Sequence, residues 1–404
     1  MSKVFIVSAK RTAIGSFLGS LSTVHPSEFG SVVVKNILDE TKVPADKIDE
    51  VVVGNILPAG LGQGVGRQVS IKAGIPAEVP AYGINMVCGS GMKTLMTAYA
   101  NIKAGLHNMV IVGGVEAMSQ APYIVPQKVR NGVKMGGYQV TDHMIADALT
   151  DAFNNVHMGI TAENIVERFG FTREQQDSFA FDSQQKAIKA VDAGKFKEEI
   201  VPIHVKLRRE EFDFDTDEYP NRRTNLEKLG KLRPAFKKDG SVTAGNSSGI
   251  NDGASFMLVV SEEALKQYNL TPLMEVVGVG QGGVEPLVMG LGPVPAIRNV
   301  LKQTAMRLEE IELFELNEAF AAQSLGVIQM LSEELGVSKE DIIEKCNVNG
   351  GAIALGHPVG ASGNRIIVTL IHEMIKRGNK YGLASLCIGG GMGTAVILKN
   401  VEAK

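Results

Sequence analysis

Cysteine is scarce in this chain, which has 3 cysteines among 404 residues. An odd and sparse set does not make the disulfide framework that stabilises small secreted domains. We therefore expect free thiols, a reducing compartment and, by elimination of other addresses, a cytoplasmic location.

Excess charge and long apolar segments are also missing. The formal net charge is -3 and no dense basic block occurs, so we expect no nucleic-acid partner. No apolar run approaches the length of a membrane span, so we expect no membrane partner either. Hydrophobic content of 44% and charged content of 21% are typical of a soluble globular protein, and the length predicts two or three domains.

Glycine, by contrast, is abundant, with 45 residues that often stand in short pairs after apolar runs. Apolar runs that alternate with helical stretches predict an α/β fold, with right-handed crossovers and a mostly parallel sheet. Seven of these runs are predicted strands, at residues 4–8, 50–55, 108–114, 274–279, 311–317, 383–391 and 395–398.

The two ends of the chain repeat the same order of landmarks. Asn55 and Asn317 each follow an apolar strand, and a helix follows both Gly91 and Gly363. This repetition predicts two similar halves that pack against each other.

Between the halves, the regular alternation fails and charged residues become dense. Amphipathic helices are predicted at 161–169 and 173–193, and Thr172 with Gln175 forms a helix-start signal. We read this region as an insertion that forms either a lid or a substrate-recognition subdomain. The predicted division is an N-terminal half at 1–118, an inserted loop domain at 119–246, a return segment at 247–272 and a C-terminal half at 273–404.

One thiol, Cys88, stands in a setting that favours chemistry. A strand-like run is predicted to end at Val87, and a helix is predicted from 92 to 105. The unpaired N–H groups at a helix start favour a thiolate. Gly89 and Gly91 permit a tight turn and the close approach of another backbone. The alternative at this point is a buried structural cysteine.

Three further polar groups follow strands in the C-terminal half: Asn317, His357 and Cys387. Ligands of open α/β sheets bind at the carboxyl ends of strands, so these groups are candidates for one site with Cys88. Two thiols and a histidine also suit a metal, but no close Cys or His pair occurs, so no metal is expected.

These motifs resemble the thiolase family, and within it the biosynthetic acetoacetyl-CoA members. The resemblance covers nearly the whole chain and rests on residues 11–15, 88–91, 113–119, 157–159, 233–236, 243–249, 317–320, 356–358 and 387–391. It implies a thiolase-like α/β fold, with two duplicated βαβαβαββ halves in a five-layered α/β/α/β/α core. It also implies that the inserted domain holds coenzyme A.

The resemblance assigns a role to each polar group. Cys88 is the acyl-accepting nucleophile, and His357 takes its proton. Cys387 is the second acid or base, suited by a thiol pKa near 8.5. Asn317 holds a water that, with His357, stabilises an enolate. The backbone N–H groups of Cys88 and Gly389 stabilise the oxyanion of the tetrahedral intermediate.

The same resemblance implies that acetyl-CoA, acetoacetyl-CoA and CoA are the partners, without any cofactor. Substrate-binding positions carried over from the family are Ser248, Ala244, His157, Met158, Leu149, Phe236, Met289, Phe320 and Arg222. Arg222 and Arg223 follow Asn221 where relatives often carry the phosphate-binding arginine, so either can fill that role. The stretch 132–137 resembles a tetramerisation loop and implies a homotetramer.

The implied activity is reversible Claisen condensation of two acetyl-CoA, and three alternatives stay open. They are a degradative 3-ketoacyl-CoA thiolase with longer substrates, a ketoacyl synthase and a non-catalytic acyl-CoA carrier. A synthase is expected to have histidine where Cys387 stands, and a carrier has no need of the full polar set. A disulfide between Cys88 and Cys387 is a further hypothesis. Cys346 matches no motif and is predicted to be structural.

Overall fold

The computed structural model describes residues 3–207 and 209–403. Its strands are β1 (Val4–Arg11), β2 (Gly15–Ser16), β3 (Glu50–Gly54), β4 (Ala81–Ile84), β5 (Met109–Ala117), β6 (Tyr123–Ile124), β7 (Thr141–Asp142), β8 (Thr150–Asp151), β9 (Val156–His157), β10 (Ile203–Leu207), β11 (Glu210–Phe214), β12 (Asn251–Ser261), β13 (Met274–Gly283), β14 (Leu313–Leu316), β15 (Tyr381–Ile388) and β16 (Met392–Asn400). All seven predicted strands coincide with strands of this set.

The helices connect and cover these strands. They are α1 (Pro26–Thr41), α2 (Val65–Lys72), α3 (Ser90–Lys103), α4 (His143–Asp147), α5 (Met158–Phe169), α6 (Arg173–Asp192), α7 (Leu226–Gly230), α8 (Glu262–Gln267), α9 (Pro293–Thr304), α10 (Ala321–Leu335), α11 (Lys339–Lys345), α12 (Ala352–Leu355) and α13 (Val359–Arg377).

The strand order shows the duplication. The N-terminal half has the order β1-β12-β5-β3-β4, and the C-terminal half has the matching order β13-β16-β15-β14. In the second half, the place that β4 has in the first half is taken by a single parallel bridge between Phe314 and Cys346. The two sheets meet where β1 pairs with β13 through Phe5 and Ile6.

The prediction of a mostly parallel sheet is wrong. Among the described strands of the main sheet, only β3 with β4, β3 with β5, and β14 with β15 are parallel. Strand β16 follows β15 through a tight turn at Gly390 and Gly391, both with φ of 86°. A turn this short can join only antiparallel neighbours. In the first half, the chain returns after a long insertion, and β12 also runs antiparallel to β5.

The layers follow from which sheet face each helix covers. Helices α1 and α2 pack on the outer face of the first sheet, and α9 packs on the outer face of the second, beside α10. Helices α3 and α13 pack against each other between the two sheets. They approach closely because a glycine stands at each contact point. A Cβ on Gly91 would lie 2.7 Å from the Asn364 backbone nitrogen, and one on Gly363 would lie 2.6 Å from the Met92 backbone nitrogen. The result is the five-layered α/β/α/β/α order.

The chain leaves the first sheet after β5 and returns at β12, and between them lie β6 to β11 and α4 to α7. The predicted cap of α6 is confirmed: Gln175 N–H donates to Thr172 Oγ1 over 3.2 Å, and Thr172 N–H donates to Gln175 Oε1 over 2.8 Å. Across residues 3–207 and 209–403, no helix is both long enough and apolar enough to cross a membrane.

Candidate active site

Cys88 lies in a tight turn between β4 and α3. The strand ends at Ile84, three residues earlier than predicted, because local hydrogen bonds replace the sheet ladder. Val87 N–H donates to Asn85 Oδ1 over 2.9 Å, and Ser90 Oγ donates to the Val87 carbonyl over 2.8 Å. Val87 thereby adopts a left-handed φ of 47°, unusual for a β-branched residue. The turn places the thiol just ahead of α3, as the sequence predicts.

The tip of β15 reaches the Cys88 turn because Gly89 has no side chain. A Cβ on Gly89 would lie 2.2 Å from Ile388 Cδ1 and 2.9 Å from Ile388 Cγ1, so any side chain there would displace Ile388. Ile388 directly follows Cys387, so this contact brings the ends of elements from both halves together.

Two backbone N–H groups converge on the Cys88 sulfur. The N–H groups of Cys88 and Gly389 both lie near the Cys88 sulfur, where they oppose the effect of burial on the pKa of its thiol. These are the two groups that the resemblance names as the oxyanion donors. Their convergence places them beside the atom from which a tetrahedral intermediate would grow.

Both thiols are protonated at neutral pH. Cys88 is partly accessible as a residue, but neighbouring atoms enclose its sulfur, and burial raises its pKa to about 11 despite the two N–H donors. The helix start was predicted to favour a thiolate, but burial outweighs its effect and the pKa of Cys88 is raised. Burial, and then the proximity of Cys88, raise the pKa of Cys387 well above the predicted value near 8.5.

His357 is oriented from both its backbone and its ring. Its N–H donates to Asn251 Oδ1 over 2.9 Å. Ser362 Oγ donates its only hydrogen to the Pro358 carbonyl over 2.8 Å, so at 2.6 Å it must accept from His357 Nδ1. This arrangement places the ring proton on Nδ1 and leaves Nε2 as a bare acceptor.

The imidazole is neutral and its outer nitrogen is available. Burial lowers the pKa of His357 to about 4. Among the residues that the structure describes, Nε2 is buried and has no hydrogen-bond partner. A neutral ring with a free Nε2 can accept a proton from a thiol.

Asn317 follows β14 and extends its pairing, since its N–H donates to the Ser385 carbonyl over 3.0 Å. Its side-chain oxygen and nitrogen are both buried, and neither has a partner within the described part of the chain. Buried amides are normally hydrogen-bonded, so this amide is suited to hold a small polar partner. That Asn317 holds a water stays a prediction.

Cys387 packs in an apolar cluster with three of the predicted substrate residues, Met158, Met289 and Phe320. The side chains in this cluster are almost fully buried, and they surround the second thiol. A Cβ on Gly389 would lie 3.5 Å from Met158 Sδ, which links the cluster to the oxyanion donors.

The aromatic predictions extend this cluster outward. The His157 ring stacks on Phe236 with centroids 4.7 Å apart, and Phe236 meets the edge of Phe320 at 6.1 Å. The Leu149 carbonyl accepts from Met158 N–H over 2.8 Å, and its side chain packs in the cluster that Cys88 adjoins.

A separate cleft of about 900 Å³ opens beside the inserted domain. It is lined by Ala244 and Arg222, two predicted substrate residues, and also by Arg223. The Arg222 guanidinium pairs with Asp192 through contacts of 2.6 and 3.0 Å. Which arginine meets a phosphate stays a prediction.

Residues 243–248 connect this cleft with the apolar cluster. Ala244 lies in the cleft, Ser247 bridges to Phe320, and Ser248 N–H donates to the Ala319 carbonyl over 2.9 Å. Among the described residues, neither Cys88 nor Cys387 lines the cleft. The predicted substrate positions therefore divide into an outer group at the cleft and an inner group around the thiols.

Sequence reasoning missed the residues that hold the histidine loop. Besides Asn251 and Ser362, Glu116 is fully buried at the end of β5 and accepts from Gly360 N–H over 2.9 Å and from Asn55 Nδ2 over 2.9 Å. A carboxylate inside an apolar strand was the available signal, because such a group needs buried donors. Cys346 is buried in the outer core of the second half, which agrees with a structural role.

Two stacked α/β halves, with one thiol in the turn that follows β4 and the other near the end of β15, define a thiolase-type fold and site. Family models agree: the thiolase N-terminal domain matches residues 4–263, and the thiolase C-terminal domain matches residues 270–400. The chain belongs to the thiolase family.

Similar proteins span the full chain. An acetyl-CoA acetyltransferase of Pseudomonas aeruginosa is 51% identical over 399 residues, covering 98% of this chain and 99% of the relative. The acetyl-CoA acetyltransferase of Escherichia coli is 47% identical over 402 residues, with both chains covered fully. The solved acetyl-CoA acetyltransferase of Syntrophomonas wolfei has a TM-score of 0.96 at 42% identity, covering 99% of this chain and 100% of that one.

A solved human mitochondrial 3-ketoacyl-CoA thiolase has a TM-score of 0.93 at 42% identity, with 99% of each chain covered. Overall fold similarity alone therefore does not separate the two thiolase activities. The names of the sequence relatives carry more weight on this point.

Proposed function

We propose that this protein is an acetyl-CoA C-acetyltransferase that converts two acetyl-CoA into acetoacetyl-CoA and free CoA, reversibly, through an acetyl-Cys88 intermediate. The observation that carries the proposal is the convergence of the Cys88 and Gly389 N–H groups on the Cys88 sulfur, beside the Cys387 thiol. The Pseudomonas and Escherichia relatives, named acetyl-CoA acetyltransferases, support it.

The first half-reaction transfers acetyl to the enzyme. His357 Nε2 takes the Cys88 proton as the sulfur attacks the thioester carbonyl. The Cys88 and Gly389 N–H groups receive the negative oxygen, and such a donor is worth about 2.7–4 kcal/mol of barrier. The carbon–sulfur bond to CoA breaks, and the imidazolium returns the proton to the CoA sulfur.

The second half-reaction forms the carbon–carbon bond. Cys387 passes its own proton to His357 and then removes an α-proton from the second acetyl-CoA. The enolate oxygen is held by the imidazolium and by a water on Asn317. The enolate carbon attacks the acetyl carbonyl, and the Cys88 sulfur leaves and regains a proton from His357. The raised pKa of Cys387 fits this step, because a thiolate of high pKa is a strong base.

Substrate length and covalent chemistry test the proposal. Rates with acetoacetyl-CoA should exceed those with a longer 3-ketoacyl-CoA, and the reverse would favour the degradative alternative. Mass spectrometry after mixing with acetyl-CoA should find an acetyl group on Cys88, and its absence would favour a non-catalytic carrier.

The proposal includes a homotetramer in the cytoplasm and no cofactor, since the CoA thioesters are the substrates. Exposed apolar side chains support the oligomer: in the segment from β6 to β7, Met135 is 93% exposed and Tyr123 is 67% exposed. The scarcity of cysteine supports the compartment. Sedimentation of the purified protein tests the assembly, and a stable monomer would contradict it.

A further inference from the structure

One wall of the cleft of about 900 Å³ is a segment without helix or strand. Residues 216–224 all line the cleft, and none belongs to a regular element. Such a segment lacks a backbone ladder, so side chains must hold it in place. We call residues 216–224 the wall segment.

Arg11 holds the wall segment through Asp217. Its Nη1 donates to Oδ1 over 2.7 Å and its Nη2 donates to Oδ2 over 2.9 Å, a two-point contact that fixes the direction of the carboxylate. The Ile14 N–H also donates to Oδ1 over 2.8 Å. Arg11 is 0% exposed and Asp217 is 5% exposed, so water does not compete for these bonds.

Arg11 is itself fixed by the chain that precedes the wall segment. Its Nε donates to Glu199 Oε1 over 2.6 Å, and its backbone N–H donates to the Glu199 carbonyl over 2.8 Å. The guanidinium lies over the Phe196 ring at 5.0 Å. One buried cation at the end of β1 therefore orients two carboxylates of the inserted region.

The next residue gives the wall segment a second attachment to the same half. Glu218 Oε1 accepts from Ser16 N–H over 2.7 Å and from Ser20 N–H over 3.0 Å. Among the described residues, the side-chain hydrogen bonds of Arg11 and Asp217 join them to each other and to Thr12, Ile14 and Glu199, and none reaches either thiol. The contact thus acts on the outer cleft and not on the reacting sulfurs.

We propose that Arg11 is a positioning residue for substrate binding: by gripping Asp217 it shapes the wall segment into a cleft that takes the nucleotide end of a CoA thioester. This inference rests on the proposed function. It gives a physical role to Arg11 in the stretch 11–15, which is part of the family resemblance but has no role assigned above.

The test compares a full substrate with one that lacks the nucleotide. Arg11→Lys keeps the charge but cannot make the two-point contact, and Asp217→Asn removes the carboxylate charge at nearly constant shape. We expect the KM for acetoacetyl-CoA to rise about tenfold, equivalent to about 1.4 kcal/mol, while kcat changes less than about twofold. With acetoacetyl-pantetheine, which lacks the nucleotide, both constants should match those of the unaltered enzyme.

The matched control is Arg365→Lys, in a buried arginine that meets Glu315 at 3.4 Å and does not line the cleft. It should lower the melting temperature without changing the preference for CoA over pantetheine substrates. If Arg11→Lys lowered kcat/KM equally for acetoacetyl-CoA and acetoacetyl-pantetheine, the role of Arg11 would be purely structural and the inference would be overturned.

The unaltered enzyme provides a test that needs no variant. Hydrogen exchange of the wall segment should slow when CoA is added, and unchanged exchange there would overturn the inference. An enzyme that turns over acetoacetyl-pantetheine as efficiently as acetoacetyl-CoA would also overturn it, with the proposed chemistry intact. An enzyme that turns over neither substrate would instead refute the proposed function.

Discussion

The resting state of Cys88 and His357 should be a neutral pair. Burial places the pKa of the thiol at about 11 and that of the imidazole at about 4, a difference of about 7 pH units. At about 1.4 kcal/mol per unit, proton transfer between them costs about 10 kcal/mol before their attraction is counted. Unit charges about 4 Å apart attract by about 4 kcal/mol at an effective dielectric constant of about 20. The neutral pair is therefore favoured by about 6 kcal/mol.

Alkylation of the unliganded enzyme measures this balance. A pKa of about 11 leaves about one Cys88 in ten thousand ionised at pH 7, against about one in a hundred at the ordinary thiol pKa of 9.0. The rate of iodoacetamide labelling, assigned to Cys88 by peptide mass spectrometry, should rise tenfold per pH unit from pH 6 to pH 10. His357→Gln should leave this profile unchanged, because the histidine does not share the proton at rest.

A labelling rate that reaches a plateau near pH 7 would refute the reasoning. Such a plateau is the signature of a thiolate–imidazolium pair, and His357→Gln would then abolish it. The result would mean that the N–H donors and the helix start outweigh burial at Cys88.

Three other predictions concern Ser362, His357 and Gly91. Ser362→Ala removes the acceptor that fixes the Nδ1–H tautomer, so kcat should fall about tenfold to a hundredfold with little change in KM, and Ser362→Thr should restore most of it; a kcat within twofold in Ser362→Ala would contradict the tautomer assignment. Because the pKa of His357 is lowered from 6.5 to about 4, its contribution to stability is complete above pH 6.5 and is lost as pH falls through about 4. Between pH 7 and pH 4, the free energy of unfolding measured in urea should therefore fall by about 3 kcal/mol more in the unaltered protein than in His357→Gln. An equal fall in both proteins would contradict the lowered pKa of His357. Gly91→Ala puts a Cβ 2.7 Å from the Asn364 nitrogen, so the melting temperature should drop by several degrees. At Gly105, just after α3, an added Cβ meets nothing within 4 Å, so Gly105→Ala should lower the melting temperature less, through backbone strain alone.

The sequence-based expectations were most accurate where a short pattern determines a local structure. Apolar runs predicted the strands of both sheets, and the repeated Asn55 and Asn317 landmarks predicted the duplication. The glycines beside Cys88 predicted the close approach of another backbone, which Gly360 and Asn364 provide at Gly91. These properties depend on neighbours in the chain or on a repeat that is visible in it.

Properties that depend on distant contacts were not predicted. The antiparallel return of β12 follows from where a long insertion ends, which local patterns do not show. The pKa of Cys88 was expected to fall with the helix start, yet enclosure by both halves raises it. The histidine loop is supported by Glu116 and Asn251, whose partners in the loop are more than 100 residues away in sequence. Ser362 is near in sequence, but no motif indicates its contact with the His357 ring.

The central claim is that both halves supply one sulfur each to a single reaction. Cys387→Ser, mixed rapidly with acetyl-CoA and analysed by mass spectrometry, tests it most directly. The account predicts that acetyl-Cys88 accumulates in this variant while no acetoacetyl-CoA forms, because the nucleophile is intact and the α-proton has no base. Acetoacetyl-CoA formation at the rate of the unaltered enzyme would contradict the account.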